Sequence, residues 1–241
     1  MIEYLIREKE ILFSVNHSFL CGMNYCFQTD FRLYFILPFI HGGELHKILR
    51  QHRRFNEKIV KFYAAQLVVG IGKLHDMNII HRDLKAENIM IDSNGYIKII
   101  DFGLAKMLAS DEVTTTQCGS AEYFAPEILK GQEYNKNVDW WSLGILIYEM
   151  LFGVTPFFNE NKSSLFRNIS RKKLVFSKQA CLSAECANLI TKLLSRDTRK
   201  RLGSKGDAAE ILEHPWFADI DIDKLENFEY PAPILPNNET G

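Results

Sequence analysis

No stretch of this 241-residue chain is apolar enough to span a bilayer. Its most hydrophobic run, residues 140–154, is interrupted by Ser142 and Glu149 and falls short of the ~20 apolar residues a membrane helix needs. An excess of one charge is also lacking. Lys and Arg number 29 and Asp and Glu 30, a net of −1, so no global field draws the molecule to nucleic acid or to a membrane. Cysteine is sparse: five residues (Cys21, Cys26, Cys118, Cys181, Cys186), odd in number and without zinc-type spacing. That pattern predicts reduced thiols in a cytoplasmic or otherwise intracellular protein. The opening MIEYLIREKE has early acids and no unbroken apolar core, so no secretory signal is expected. Internal repeats and low-complexity segments are absent, and nothing points to oligomerisation, so a monomer is expected. A G-x-G-x-x-G turn is missing too; Gly70-x-Gly72 lies in a predicted helix and lacks the third glycine.

What is present centres on residues 79–103, IIHRDLKAENIMIDSNGYIKIIDFG. Two apolar runs, 89–91 and 96–100, flank Asp92-Ser93-Asn94-Gly95. Asn-Gly between β-formers predicts a hairpin, because both residues tolerate positive φ. Such a hairpin returns its two ends to one edge. Asp83, Lys85, Asn88 and Asp101 should therefore converge, and two carboxylates, an amide and an ammonium suit a metal-bound polyphosphate.

The ordered set HRDLKAEN at 81–88, DFG at 101–103 and APE at 125–127 resembles a eukaryotic protein kinase. The likeness runs from about residue 4 to about residue 236 and is closest to the AGC group of serine/threonine kinases. It implies an α+β fold with a mainly helical C-lobe and a truncated N-lobe of one helix and two strands. Residues 1–217 would be the kinase domain (1–37 partial N-lobe, 38–40 hinge, 41–217 C-lobe), and 218–241 the start of an AGC-type tail. The resemblance assigns Asp83 to orienting and deprotonating the acceptor hydroxyl and Lys85 to charge on the moving phosphoryl group. Asn88 and Asp101 would hold two Mg²⁺ ions. Leu37 (gatekeeper), Pro38, Ile40, Glu44, Lys85, Glu87, Asn88, Met90 (adenine floor) and Asp101 would bind ATP. Lys85 in the catalytic loop reads as the serine/threonine type, although Ala86 stands where proline is commoner. Glu44, Glu87 and Glu149 would grip arginines before the target hydroxyl. Thr116 matches a phosphorylated activation-segment threonine, with Arg82 and Lys106 as cationic partners and an upstream kinase as its source. Tyr4 stands where the family often adds a histidine to that clamp. Structural roles fall to Glu8, His81, Phe102, Glu127, Asp139 and Arg201, and Leu12 and Met23 join His81 and Phe102 in a stack aligning the lobes.

The same residues carry blander readings. Glu44 could merely favour a helix N-terminus. Asp139 could cap its helix, hold the HRD backbone, or both. The third-strand lysine that normally pairs with the Glu8 position is absent; Lys9, next in the helix, should face elsewhere. Two functions follow: a serine/threonine kinase acting on arginine-containing proteins, or a truncated, pseudokinase-like nucleotide-binding or docking module with little catalysis. A start upstream of Met1 would reconcile the motifs with the missing strands.

Periodicity predicts a helix over 2–13, and strands over 20–23 and 33–37 joined by a polar turn near residues 28–30. A long helix should follow over 57–75, capped by Asn56 and packed beneath the hairpin. A central helix over 138–151 should end at Gly153 before Pro156. Ser183 should cap a helix reaching Leu194. Asp207 with Glu210 should open the last short helix in capping-box fashion, ending at 214–217. Arg201 should pair with Glu127.

Overall fold

The computed structural model describes residues 2–109, 112–177 and 182–236, with side chains from residue 5 onward. Met1, Cys181 and residues 237–241, on which some expectations above fall, lie outside the described residues, as does the Tyr4 side chain. Among the described residues no helix is long and apolar enough to cross a membrane, and Cys21, Cys26, Cys118 and Cys186 are free.

Helix α1 (Ile2–Ser14) leads to a two-stranded antiparallel ribbon, β1 (Tyr25–Gln28) with β2 (Leu33–Ile36). The expected first strand over 20–23 is not part of it. Leu20, Cys21 and Met23 are buried, and the backbone around them is bonded elsewhere. The Cys21 N–H donates to the Ile99 carbonyl (2.9 Å), the Ile99 N–H to Phe19 (2.8 Å), and the Met23 N–H to Leu12 (2.9 Å). This apolar segment ties α1 to the hairpin, and a short apolar run does not reveal its hydrogen-bond partners. The more exposed Tyr25–Gln28 takes the ribbon position, with Phe27 stacked on Tyr34 at 4.7 Å.

After α2 (Leu45–His52), helix α3 (Glu57–Asp76) starts where the Asn56 side chain accepts the Ile59 N–H at 3.0 Å. It buries most of its circumference, not just one face; Val60, Ala64 and Val68 are as enclosed as Leu67. Then come β3 (Ile79–Ile80), β4 (Ile89–Ile91), β5 (Ile97–Ile99) and β6 (Lys106–Met107), with β4 antiparallel to β5 and Met90 opposite Lys98. The turn between them is organised by Asp92, whose Oδ1 accepts the N–H groups of Asn94 (2.9 Å) and Tyr96 (3.0 Å). Only Gly95 of that turn has positive φ, 81°; Asn94 does not. Gln66 fastens the hairpin to α3, accepting the Ile97 N–H at 2.9 Å.

The helical lobe continues with α4 (Pro126–Leu129), α5 (Asn137–Phe152), α6 (Lys162–Arg171), α7 (Ala184–Leu193), α8 (Asp207–Leu212) and α9 (Ile222–Glu226). Helix α5 is enclosed nearly all round, as an apolar helix must be, and Gly153 ends it in the left-handed conformation. Ser183 caps α7, its Oγ accepting the Cys186 N–H at 3.0 Å. Two expectations fail at α8. Gly206, not Asp207, is the cap residue, because the Asp207 carboxylate is committed to His75, Trp140 and Lys136. Only the Glu210 half of the box forms, its Oε2 accepting the N–H groups of Gly203, Lys205 and Gly206. Nor is α8 the last helix, since α9 follows in the tail, capped by Asp221. The tail lies on the core: Tyr96 donates to the Tyr230 carbonyl (2.7 Å), Lys61 pairs with Asp219 (2.7 Å) and His17 with Glu226 (2.9 Å).

Glu127 and Arg201 form a bidentate pair, Nη1–Oε1 at 2.6 Å and Nη2–Oε2 at 2.9 Å, with both residues buried. Removing one partner strands a charge. Arg201→Met should destabilise the fold by roughly 3–5 kcal/mol, and adding Glu127→Leu should recover much of that loss. Urea unfolding of the two variants checks this; equal midpoints would mean that the stranded charge is not what costs stability.

Candidate active site

The hairpin's open end gathers the expected cluster around Asp83. Its Oδ1 accepts both the backbone N–H and the hydroxyl of Ser120, each at 2.8 Å. Its Oδ2 accepts from Lys85 Nζ at 2.7 Å and Asn88 Nδ2 at 3.2 Å. Four donors leave this buried carboxylate one orientation. Lys85 also reaches the Ser120 hydroxyl at 3.0 Å. Asn88 donates its Nδ2 to the Asp83 carbonyl at 2.9 Å as well, which leaves Oδ1 as its free ligand atom. Asp101 comes alongside because the Ile100 N–H, one residue earlier, donates to the Asn88 carbonyl at 2.9 Å. Its exposed carboxylate accepts the Gly103 N–H at 3.1 Å. An amide oxygen and an exposed carboxylate are hard oxygen donors, a set that fits Mg²⁺ with ligands completed by water and phosphate. Among the described residues no group of three or more His, Cys, Asp or Glu forms a self-sufficient metal cage.

Two residues here are held where side chains are rarely found. Arg82 has φ 69° and Asp101 φ 64°. Each costs on the order of 1–3 kcal/mol and persists only where its surroundings over-determine it. For Arg82 the restraint is Asp139, which is fully buried. Asp139 Oδ1 accepts the Arg82 N–H and Oδ2 the His81 N–H, both at 2.9 Å. The helix-cap role for Asp139 is ruled out, since Lys136 holds the cap position. The His81 ring accepts the Asp83 N–H at Nδ1 (3.3 Å), donates from Nε2 to Ile100 (3.2 Å), and sits edge-on to Phe102 at 5.6 Å. Leu12, Met23 and Phe102 are all buried.

Around this centre the other candidates sort themselves. Glu8 is half-buried; burial and then the charge of Asp101 push its carboxyl above the ordinary value. Leu37 is exposed, Pro38 and Ile40 lie in the strand-free link after β2, and Met90 is half-buried opposite Glu44. Lys106 reaches Thr114 at 2.9 Å, whose hydroxyl is 3.4 Å from that of the exposed Thr116. Arg82 donates to the Leu104 carbonyl (2.7 Å) and to the Tyr134 hydroxyl (3.5 Å), which itself donates to the Thr116 carbonyl (2.5 Å). So Arg82, Lys106 and Thr116 share one small polar cluster.

The three proposed arginine-gripping acids do not all meet. Glu87 and Glu149 line one groove with Lys85, Ser120, Glu122 and Tyr123, whereas Glu44 stands apart, paired with Lys47 at 2.7 Å. Sequence reasoning missed His75, Ser120, Glu122, Tyr123 and Tyr134. No role was assigned to them, because each acts through a partner far along the chain.

Glu149 is the most perturbed acid of the groove. Burial pushes its carboxyl up, the Tyr123 hydroxyl bonded to it opposes this, and the charges of Glu87 and Glu122 add to the rise, to about 7.

A family profile described as "Protein kinase domain" matches residues 2–217. Over 240 residues the chain is 44% identical to Protein kinase 2 of Dictyostelium discoideum, covering 100% of this chain and 50% of that one. It is 44% identical to serine/threonine-protein kinase Sgk1 of Xenopus tropicalis, covering 98% and 56%. To serine/threonine-protein kinase Sgk2 of Homo sapiens it is 42% identical, covering 97% and 64%. The chain thus spans between half and two thirds of each relative's length.

The raised Glu149 carboxyl sets a pH dependence. Its neutral form is the one the fold prefers, so its contribution to stability is present below about 4.5 and is lost as pH rises through about 7. Urea unfolding across that window should show Glu149→Gln gaining on the wild type as pH rises, by on the order of 1–3 kcal/mol. Parallel curves would mean that the carboxyl titrates normally.

Proposed function

The chain belongs to the protein kinase family, and from that premise we propose that it transfers the γ-phosphate of ATP to serine and threonine hydroxyls of proteins with arginine at the −3 and −2 positions. The observation that supports this most directly is the Asp83–Lys85–Asn88 cluster. Asp83 has its orientation fixed by four donors, as a group that must receive a hydroxyl proton requires. Lys85 would offer its ammonium to charge developing on the transferred phosphoryl. Asn88 and Asp101 would hold Mg²⁺, which when bound neutralises phosphate charge and orients the oxygens. The link at residues 37–40 and the half-buried Met90 would receive the adenine. Ser120 holds both Asp83 and Lys85, so it keeps base and ammonium in register.

The substrate preference rests on the groove. Glu87 and Glu149 are within one concave surface, and a guanidinium entering it would favour the ionised form of Glu149, whose carboxyl otherwise stays partly protonated near neutrality. Glu44, outside the groove, would need a different arginine. Thr116 fits a regulatory phosphosite, since a phosphate there would bring about −1.5 to −2 charge to the Arg82 and Lys106 cluster. An upstream kinase would supply it. Residues 1–217 would form the catalytic domain and the remainder a tail that clasps it.

The second reading, a nucleotide-binding or docking module with little phosphotransfer, draws on Glu8, which faces Asp101 rather than a cation.

An ATP-consumption assay with a basic peptide separates the two. Asp83→Asn should lower the rate roughly 10²–10⁴-fold, and chelating divalent cations should abolish it; equal rates for variant and wild type would leave only the docking reading. In a peptide-library assay the wild type should select arginine at −3 and −2. Selection of proline or an acid beside the hydroxyl would refute the basic preference.

A further inference from the structure

His75, in the last turn of α3, is fully enclosed, and both of its ring nitrogens meet carboxylates. Nδ1 is 2.8 Å from Asp207 Oδ1 and Nε2 is 3.0 Å from Asp139 Oδ2. A carboxylate can only accept. A neutral imidazole has one N–H, so one of the two contacts would set a lone pair against a lone pair. Two donors are needed, and only the imidazolium has them.

The charges around the ring are few. Helix α5 contributes Asp139 and α8 contributes Asp207. The residue preceding α5, Lys136, pairs with Asp207 at 2.5 Å. Glu112, after β6, lines the same small cavity as His75, Asn78 and Lys136, and its carboxylate accepts the Ala109 N–H. Trp140 packs edge-on to the imidazole at 4.9 Å and donates to Asp207 at 2.7 Å. Burial alone would pull His75 down, but the hydrogen bonds and charges of Asp139 and Asp207 outweigh it, and the net shift is upward. The stabilisation is therefore complete at low pH and lost as pH rises through the folded-state value.

Building on the phosphotransfer reading above, we propose that His75 is a positioning residue: its imidazolium holds Asp139 in the geometry that fixes the His81–Arg82 backbone and hence Asp83, and loss of its proton releases that loop. Asp139 Oδ2 is shared between His75 and the His81 N–H, while Oδ1 takes the Arg82 N–H. With the ring neutral, Asp139 keeps a buried charge without its cation. The restraint on Arg82, whose φ of 69° needs one, weakens with it. No other side chain joins helices α3, α5 and α8 to the catalytic loop through a single titratable group among the described residues.

The test uses the full chain with ¹⁵N-labelled histidine rings and backbone amides. At pH 7 the His75 ring should show both N–H protons. As pH is raised, hydrogen exchange at the His81 and Arg82 amides should quicken at least tenfold beyond its intrinsic pH dependence, in step with loss of the ring proton. Over the same range kcat should fall while KM for ATP stays within threefold. His75→Gln should lose at least tenfold in kcat at pH 7 and show no alkaline limb; a variant that merely destabilised the fold would keep the limb. If His75→Gln does not fold, the wild-type titration decides alone. A neutral ring at pH 7, or amides indifferent to its titration, would overturn the proposal. Amides that respond in a protein with no phosphotransfer at any pH would support it while removing the kinase reading.

Discussion

One buried carboxylate carries more of this structure than any other group. Asp139 lies in the first turn of α5, at the centre of the helical lobe, and its two oxygens take two consecutive backbone N–H groups and one imidazole. Those N–H groups belong to the residues just before Asp83. The loop is thus hung from the core by its backbone, in addition to the hydrogen bonds that its own side chains make. The cost is an anion deep in an apolar lobe, tolerable only because three donors converge on its two oxygens.

The same economy recurs at Asp83, where four donors converge, and at Glu127, where a forked guanidinium does. In the groove lined by Glu87 and Glu149 the rule is relaxed. Glu149 is enclosed beside a phenol and within the field of two other carboxylates, and among the described residues no guanidinium or ammonium pairs with it. Groups built for stability are satisfied internally; a group left short of a cation is poised to accept one from outside.

Much of this was legible in the residues alone. The hairpin followed from Asn94-Gly95 between apolar runs, the long helix from its period and its Asn56 cap, and α5 from its apolar circumference and the glycine behind it. The Asp83, Lys85, Asn88 and Asp101 set could be listed in advance because a hairpin must return its ends together. What escaped depended on partners remote in sequence. The segment at 20–23 has the pattern of a strand, yet it spends its hydrogen bonds on Ile99 and Leu12. Asp207 has the spacing of a cap, but tertiary partners claimed its carboxylate first. The roles of Ser120 and His75 were not legible, since a serine in a loop and a histidine near a helix end are ordinary until the opposite carboxylates come into view.

The tail's grip on the hairpin turn has one more effect. Gly95 has no side chain where the chain returns: a Cβ there would come 2.4 Å from the Ile234 carbonyl and 2.5 Å from the Ala232 methyl. At the other end of β4 from this turn, about 10 Å along the strand at ~3.3 Å per residue, stands Asn88. Any side chain at position 95 would have to push residues 232–234 aside, so the tail can lie over this turn only where the turn is a glycine.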